Sequence, residues 1–384
     1  MANGYNAQIL RIAYAKTSAL ASALGITINE GDLITDAMIT AAGLTFQQLA
    51  ISGDISEHTF LTEALTNAQF GEYSRGDLSI KGFEKPEGSI TRIHDNLLPI
   101  THLGIFENGL GELQTNSGNT DTVASDVNHS TTVTMSGTSL DSGDIGKFIQ
   151  IGNQISVLNN VATSTLTMES KISASAGDTI TVLNHFDLDT VTDESFILFV
   201  ETAKDARLVS HVRFGIDFET PANDLLKLKL NYQGDFALLS TLTWDTLGTI
   251  TAEVNEKNMT TTHFKGVRAG SVDNMCAASF NFKMTREMTR LECQATESAQ
   301  GNGGTFRGKY MAEVEIMAYD NDLRTPYIAN DYITLVAQKL GFAIYDPGAL
   351  IKSEDPNIIN NNVQNTTYVI TGNVDMTKKM IMVV

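Results

Sequence analysis

Side chains able to do chemistry are plentiful in this chain but thinly arranged. The histidines stand singly, at His58, His94, His102, His129, His185, His211 and His263. Only His94 and His102 lie near one another, and a gap of 102 − 94 = 8 residues across Pro99 is no metal-ligand spacing. Cys276 and Cys293 are too few and too far apart for a zinc ribbon or a disulfide framework. They read as small buried hydrophobes in strands, with free thiols in a reducing compartment. The acidic patches "SLDSGD" (Asp141, Asp144) and "AYDNDL" (Asp320, Asn321, Asp322) gather the hard oxygens that calcium prefers. Asp and Asn in such patches also bond their own backbone in turns, and a turn is the expectation here.

Motifs with a chemical mechanism are sparse. There is no Gly-x4-Gly-Lys-Ser/Thr, no Gly-x-Ser-x-Gly and no His-Glu-x-x-His. "GLGELQ" at Gly109 has two of the three glycines of a dinucleotide loop, and reads as a turn. So does "RGD" at Arg75–Asp77, because the parallel Arg307-Gly308-Lys309 breaks the adhesion motif. The opening "MANGYNAQILRIAYAKTSAL" is too polar for a secretory signal. No run approaches ~18 apolar residues, so no membrane partner is expected. No catalytic, cofactor-binding or metal residue is assigned, and the chain is expected not to be an enzyme.

Charge is the strongest bulk signal. The 384 residues carry 26 Lys and Arg against 45 Asp and Glu, for a net −19. Between Ile93 and Ala203 the bases are Lys147 and Lys171 against 14 acids, so that window contributes 2 − 14 = −12. A protein that grips nucleic acid neutralises phosphates with Lys and Arg, and this balance is the reverse. Like-charge repulsion serves solubility, and it also makes a surface that another polyanion can pass without sticking.

The elements that position these residues are mainly strands. From Thr115 to about Thr190 the chain is rich in Ser, Thr, Asn, Gly and Asp, and lacks Pro, Cys, Trp and Tyr. Short alternating runs punctuate it: "TTVTMSG", "KFIQIG", "QISVLNN", "STLTMES" and "DTITVLNHF". These describe a small all-β barrel or sandwich inserted into a surface loop. The flanks alternate too, in "ILRIAYAKT", "LLKLKLNYQ", "MCAASFNFKM" and "YMAEVEIMAY". Two helices are expected. "HDNLLPITHLG" has an Asp95/Asn96 cap and is short or broken at Pro99. "NDYITLVAQKLG" has Asn330 or Asp331 as N-cap, apolar Ile333, Val336, Ala337 and Leu340, and Gly341 as stop.

Two stretches share an order of signals. Tyr73–Gly104 and Phe306–Gly341 each carry an aromatic, then Arg-Gly, then an alternating run, a polar turn and an apolar segment closing on Leu-Gly. A long polar stretch precedes each, at Ala50–Ser74 and at Thr285–Phe306, the latter with Gly301, Gly303 and Gly304 at an expected tip. Two degenerate copies of one sheet-plus-helix unit are inferred.

Three stretches in this order resemble the major tail tube protein of long-tailed bacteriophages. They are "LRIAYAKTSALASALG", "YSRGDLSIKGFEKPEGSITRIHDNLLPITHLGIF" and "THFKGVRAGSVDNMCAASFNFKM". In the last, Phe264, Gly266, Arg268 and Ser271 hold the family's places, with Ala269 where valine is usual. The acidic insert is a departure, and the tail after Asp346 has no counterpart. The resemblance implies a mainly β fold with one or two short helices: a tail-tube-like β-sandwich or barrel, duplicated, with a small all-β domain inserted. The expected divisions are 1–114, 115–190 (on the outer surface) and 191–384.

It also implies function: a structural virion protein, made in the host cytoplasm, whose rings stack into a conduit for DNA ejection. The partner is then the chain itself, as a trimer with pseudo-sixfold symmetry or otherwise a hexamer. Tape measure and tail terminator proteins follow from the resemblance, and DNA passes without specific binding. No cofactor is implied. The alternative is a surface- or carbohydrate-binding β module of a virion fibre or adhesin, for which Trp244 is the only tryptophan available as a platform.

Overall fold

The computed structural model describes residues 9–49, 58–67, 78–93, 98–116, 118–152, 154–188, 190, 192–202, 205–220, 227–253, 264–269, 277–292, 302–318, 323–339, 342–359, 363–375 and 381–383. Within them the chain is mainly β, with five short helices where one or two were expected.

Alternation dictates the strands. In Lys227–Gln233 (KLKLNYQ), Leu228, Leu230 and Tyr232 are buried and the two lysines are not. In Asn302–Ala318 the same period turns Tyr310, Ala312, Val314 and Ile316 inward and leaves Met311, Glu313 and Glu315 in solvent. Successive side chains of a pleated strand face opposite sides, so this pattern permits one register against the core.

The larger sheet has 18 strands among the described residues. Its longest antiparallel run passes in order through His58–Asn67, Leu78–Ile93, Lys227–Gln233 and Ala206–Thr220. It continues through Ala277–Glu292, Asn302–Ala318, Val363–Thr371, Phe342–Ile359, Tyr332–Lys339 and Phe264–Ala269. The strand Ala206–Thr220 is shared. Its first half pairs with Phe196–Thr202 and Phe236–Ser240, and its second half with Lys227–Gln233. His211, at φ 50°, lies where the partners change. From Phe196–Thr202 the sheet extends through Ile9–Lys16 and Thr45–Gln48 to a parallel partner, Thr249–Thr251. The main core fills the inner face, with Phe106, Phe186, Phe214, Tyr310, Ile316 and Tyr368 all but fully buried.

Two helices, Thr17–Leu24 and Asp36–Ala42, were not anticipated from the sequence. Each stops on a glycine in the left-handed region, Gly25 at φ 65° and Gly43 at φ 56°, and Thr35 caps the second by accepting from the Met38 N–H. They cover a second core around Phe46, Ile197, Phe199 and Leu208.

One expected helix is overturned. The chain from Tyr332 to Lys339 is a strand, and the helix lies a turn earlier, at Arg324–Ala329. Asn330 ends that helix in the left-handed region (φ 55°) instead of opening another. Ile333, Val336, Ala337 and Leu340 fit helical spacing but mix odd and even positions, whereas period two selects Ile333 and Leu335, which are buried, and leaves Tyr332 exposed; β-branched residues favour the sheet. The broken helix near Pro99 is present as Leu98–Thr101 and Leu103–Gly109, interrupted at His102. Pro99 sits in the first turn, where no backbone donor is required. The expected cap at Asp95/Asn96 lies outside the described residues.

A six-stranded sheet between Thr120 and Val182 stands apart with its own core of Val133, Ile149, Leu158, Leu166, Ile172 and Ile180. Its strand order runs Thr120–Thr122, Thr179–Val182, Phe148–Ile151, Gln154–Ala162, Thr165–Ala174, Val127–Thr134. A bridge from Val123 to Met135 ties the two ends of that order together. The neck is a strand pair, Glu112–Gln114 with His185–Asp187, and the second of these also pairs with Ile381–Val383. Here "GLGELQ" finds its reason: a Cβ on Gly111 would lie 1.8 Å from the Asp187 carbonyl oxygen. The segment after Asp346 is built into the larger sheet as the hairpin Phe342–Ile359/Val363–Thr371.

Candidate assembly interface

Two long hairpins lead the candidates for contact with other copies. Ala277–Glu292 and Asn302–Ala318, of 16 and 17 residues, pair from Ala277↔Ala318 to Glu292↔Asn302. At roughly 3.3 Å per residue they extend about 50 Å. Gly303 and Gly304, expected at the tip, lie inside the second strand, as does Arg307-Gly308, expected to precede it. The reason is continued pairing with residues up to Glu292. Gly301 and Cys293 lie outside the described residues. The other hairpin joins His58–Asn67 to Leu78–Ile93, and the rest of Ala50–Ser74, with Arg75–Asp77, is likewise outside them. After each hairpin comes a short helix, Leu98–Thr101 or Arg324–Ala329.

The strands that end the long antiparallel run each have one pairing partner among the described residues. His58–Asn67 pairs with Leu78–Ile93, and Phe264–Ala269 pairs with Tyr332–Lys339. A strand paired on one side presents a row of N–H and C=O groups on the other, ready for another chain. Phe264, Gly266 and Arg268 of the sequence motif lie on the second of these strands; Ser271 is outside the described residues. Large apolar side chains are exposed on and beside the hairpins: Phe306 at 57%, Met311 at 65%, Ile100 and Ile328 at 70%.

Buried polar groups fasten the second hairpin to the body. Asn108, fully buried at the end of Leu103–Gly109, donates from Nδ2 to the carbonyls of Thr192 (3.1 Å) and Glu194 (2.6 Å). Its Oδ1 accepts from the Phe214 N–H at 2.8 Å and from Arg307 Nη2 at 2.9 Å. Tyr310 Oη bonds the carbonyls of Gly109 and Ile216, and Arg286 lies over its ring at 4.9 Å.

The residues weighed for chemistry are used structurally. Asp141 accepts from the Gly143 N–H at 2.7 Å, and Asp144 pairs with Lys147 at 2.8 Å and accepts from Asn119 and the Asp141 N–H. Together they cap a 3-10 turn, Ser142–Asp144. Asp320, Asn321 and Asp322 lie outside the described residues, as do His94, His263 and Cys276. Of the histidines, His102 is buried in a network that the spacing did not reveal. Its Nδ1 meets Tyr14 Oη at 2.8 Å and its Nε2 lies 3.3 Å from Glu253, which forms a two-pronged ion pair with Arg92. These groups come from the strands Ile9–Lys16 and Leu78–Ile93, the helix break and the segment after Thr251, distances in sequence that no local motif spans. Burial pushes the Tyr14 hydroxyl far above its ordinary range, with Glu253 adding to the effect, so it stays a neutral donor.

A cleft of about 700 Å³ is bordered by Thr17, Ser18, Glu30, Asp193, Glu194 and Arg213, among others. Its cation is taken: Arg213 pairs with both Glu30 and Asp193. Trp244 is taken as well, with the Arg11 guanidinium 5.5 Å above its ring. Among the described residues no group of three or more His, Cys, Asp or Glu could hold a metal, and no helix is long and apolar enough to cross a membrane. No family model matches this chain, and no curated protein matches it.

Proposed function

We propose that this chain is a structural virion protein that assembles with copies of itself into stacked rings, as the tail tube of a long-tailed phage. The observation that carries the reading is the pair of edge strands, His58–Asn67 and Phe264–Ala269, each with one partner among the described residues, at opposite ends of one antiparallel run. Unlike edges at the two ends of a subunit invite head-to-tail contacts, which make rings when the rotation closes. Two long hairpins, each followed by a short helix, suit duplicated units, and three such chains would give a ring of six similar units. The hairpins, with Phe306 and Met311 in solvent, supply contacts between successive rings. Obligate interfaces of this kind bury on the order of 2,000–5,000 Å².

On this reading the work is geometric, no reaction is catalysed, and the protein resides in the virion tail. The acidic balance serves passage: DNA carries roughly one negative charge per 1.7 Å of axis. Repulsion from wall carboxylates reaches about 8 Å at physiological salt, enough to keep DNA from adhering. Tape measure and terminator proteins are the remaining partners that the resemblance brings. The insert, with its own core and narrow neck, decorates the outside.

Negative-stain microscopy of the purified protein tests the proposal. Rings or tubes are the expected result. A monodisperse monomer at high concentration, with no assembly on long incubation, overturns it.

A further inference from the structure

We propose that Arg307 and Arg286 form a binding site for a small oxyanion, phosphate or carboxylate, which the chain's own side chains leave unfilled. Arg307 is half-buried on the strand Asn302–Ala318, and among the described residues its side chain bonds the neutral Oδ1 of Asn108, at 2.9 Å. Its Nε is buried and has no partner. Among the described residues no carboxylate lies within ion-pair reach of it. Arg286 is in a similar position: Nε donates to the Gly308 carbonyl at 2.6 Å and Nη1 to the Leu110 carbonyl at 3.1 Å. Its guanidinium rests on the Tyr310 ring, and no acid pairs with its side chain among the described residues. The third arginine of the group, Arg213, has its charge answered by Glu30 and Asp193. Asp217 is turned elsewhere, accepting from the Arg286 backbone N–H at 3.1 Å and from Asn231 Nδ2 at 2.7 Å.

Two adjacent guanidinium groups with neutral partners are an expensive arrangement, because a buried cation costs stability unless it is paired. Burial brings Arg307 down to about 10, Arg213 and Arg286 push the same way, and Tyr310 and the more distant Asp193 carboxylate offset this in part. It therefore remains a cation at neutral pH, and an anion would relieve both desolvation and mutual repulsion. The unpartnered Nε–H and the remaining Nη hydrogens form the planar fork that suits carboxylate and phosphate. A polar cleft of about 320 Å³, with Glu87 among its lining residues, reaches Arg286.

Thermal unfolding of the full chain tests this in sodium chloride, inorganic phosphate and acetate at matched ionic strength. Phosphate is expected to raise Tm by about 2 °C or more at 100-fold excess over Kd. A rise in acetate too assigns the site to carboxylates generally; a rise in phosphate alone assigns it to phosphate. Arg307→Met should be at least as stable as the wild type in chloride and should not respond to phosphate. Arg307→Lys keeps the charge but loses the fork, and should respond more weakly. Equal Tm in all three salts overturns the site, and an undiminished response in Arg307→Met overturns its assignment to Arg307. None of these readouts requires rings to form.

Discussion

Phe148 of the small sheet and Tyr345 of the large one meet edge to face, with ring centroids 5.1 Å apart and planes at 71°. With Ile155 they make a small separate core, and Tyr345 Oη also bonds Glu169. No residue of the small sheet's main core takes part. Replacing either ring should therefore free the small sheet from the large one without unfolding it. In a double-mutant cycle, Phe148→Ala and Tyr345→Ala should couple by about 0.5–1.5 kcal/mol. Hydrogen exchange should quicken at the neck strands Glu112–Gln114 and His185–Asp187 while Leu158 and Leu166 keep their protection. Equal loss of protection in both places would show that the small sheet cannot stand alone.

Asn108 satisfies four groups with one amide, the Phe214 N–H fully buried and the other three partly so. Asn108→Ala leaves the Phe214 N–H, two carbonyls and Arg307 without their partner. Each stranded group costs about 1–3 kcal/mol, so a loss of at least ~3 kcal/mol is expected in denaturant unfolding. Asn108→Asp restores the acceptor for Phe214 and pairs with Arg307, but turns an oxygen toward the carbonyls of Thr192 and Glu194. It should lie between the wild type and the alanine variant. An alanine variant as stable as the wild type would remove Asn108 from its place as the junction of helix and hairpin.

Much of the fold could be read from period two. The runs "KLKLNYQ" and "YMAEVEI" alternate without interruption, and the sheet follows them. The short strands from "TTVTMSG" to "DTITV" likewise stand between turn residues. What the sequence obscured was the meaning of Asn330, since the same residue type opens helices and closes them. Ile333, Val336 and Ala337 fit a helical stripe while Ile333, Leu335 and Ala337 alternate as in a strand, and pairing with Phe342–Ile359 decided between them. The helix Thr17–Leu24 was hidden because a strong strand signal runs directly into it with no side-chain cap. The networks about His102 and Asn108 draw on residues far apart in sequence, such as the directly bonded Asn108 and Arg307 at 199 positions, and only the assembled sheet brings these together. The Arg-Gly signal was visible, but its meaning was not: Arg307 lies inside the strand because pairing continues from Met288 opposite it to Glu292.

Asp346 gives a pH signature. Its residue is 1% exposed, and burial raises its carboxyl above the ordinary range, with the bonds from the Gly348 and Asn373 N–H groups offsetting this in part. A carboxyl raised on folding binds its proton more tightly in the native state. Its contribution is therefore most favourable below the unfolded value of about 3.9, and is lost as pH rises through the folded one. Relative to Asp346→Asn, the wild type should lose stability over that window, with a slope of at most about 1.4 kcal/mol per pH unit. Urea unfolding of both proteins at several pH values measures the difference. A gap that widens in the wild type's favour as pH rises would reverse the assignment.

The sharpest test of assembly lies on the hairpin. Phe306 and Met311 stand 57% and 65% exposed on the same strand whose inward residues anchor it. Met311 lies across from Thr285 on the neighbouring strand, so its side chain supports no core. Substitution at such a site changes folding by about 0.5 kcal/mol or less. An apolar contact between rings, however, loses its burial and acquires an unpaired charge when Met311 becomes Lys. Met311→Lys and Phe306→Lys should thus melt like the wild type yet give fewer and shorter tubes by electron microscopy. Deleting Gln300–Gly304 should have the same result, since it shortens the hairpin at its end and leaves Tyr310, Arg286 and Asn108 in place. Normal tube growth in all three variants would take the hairpin out of the contact between rings and leave the sheet edges as the surfaces that hold copies together.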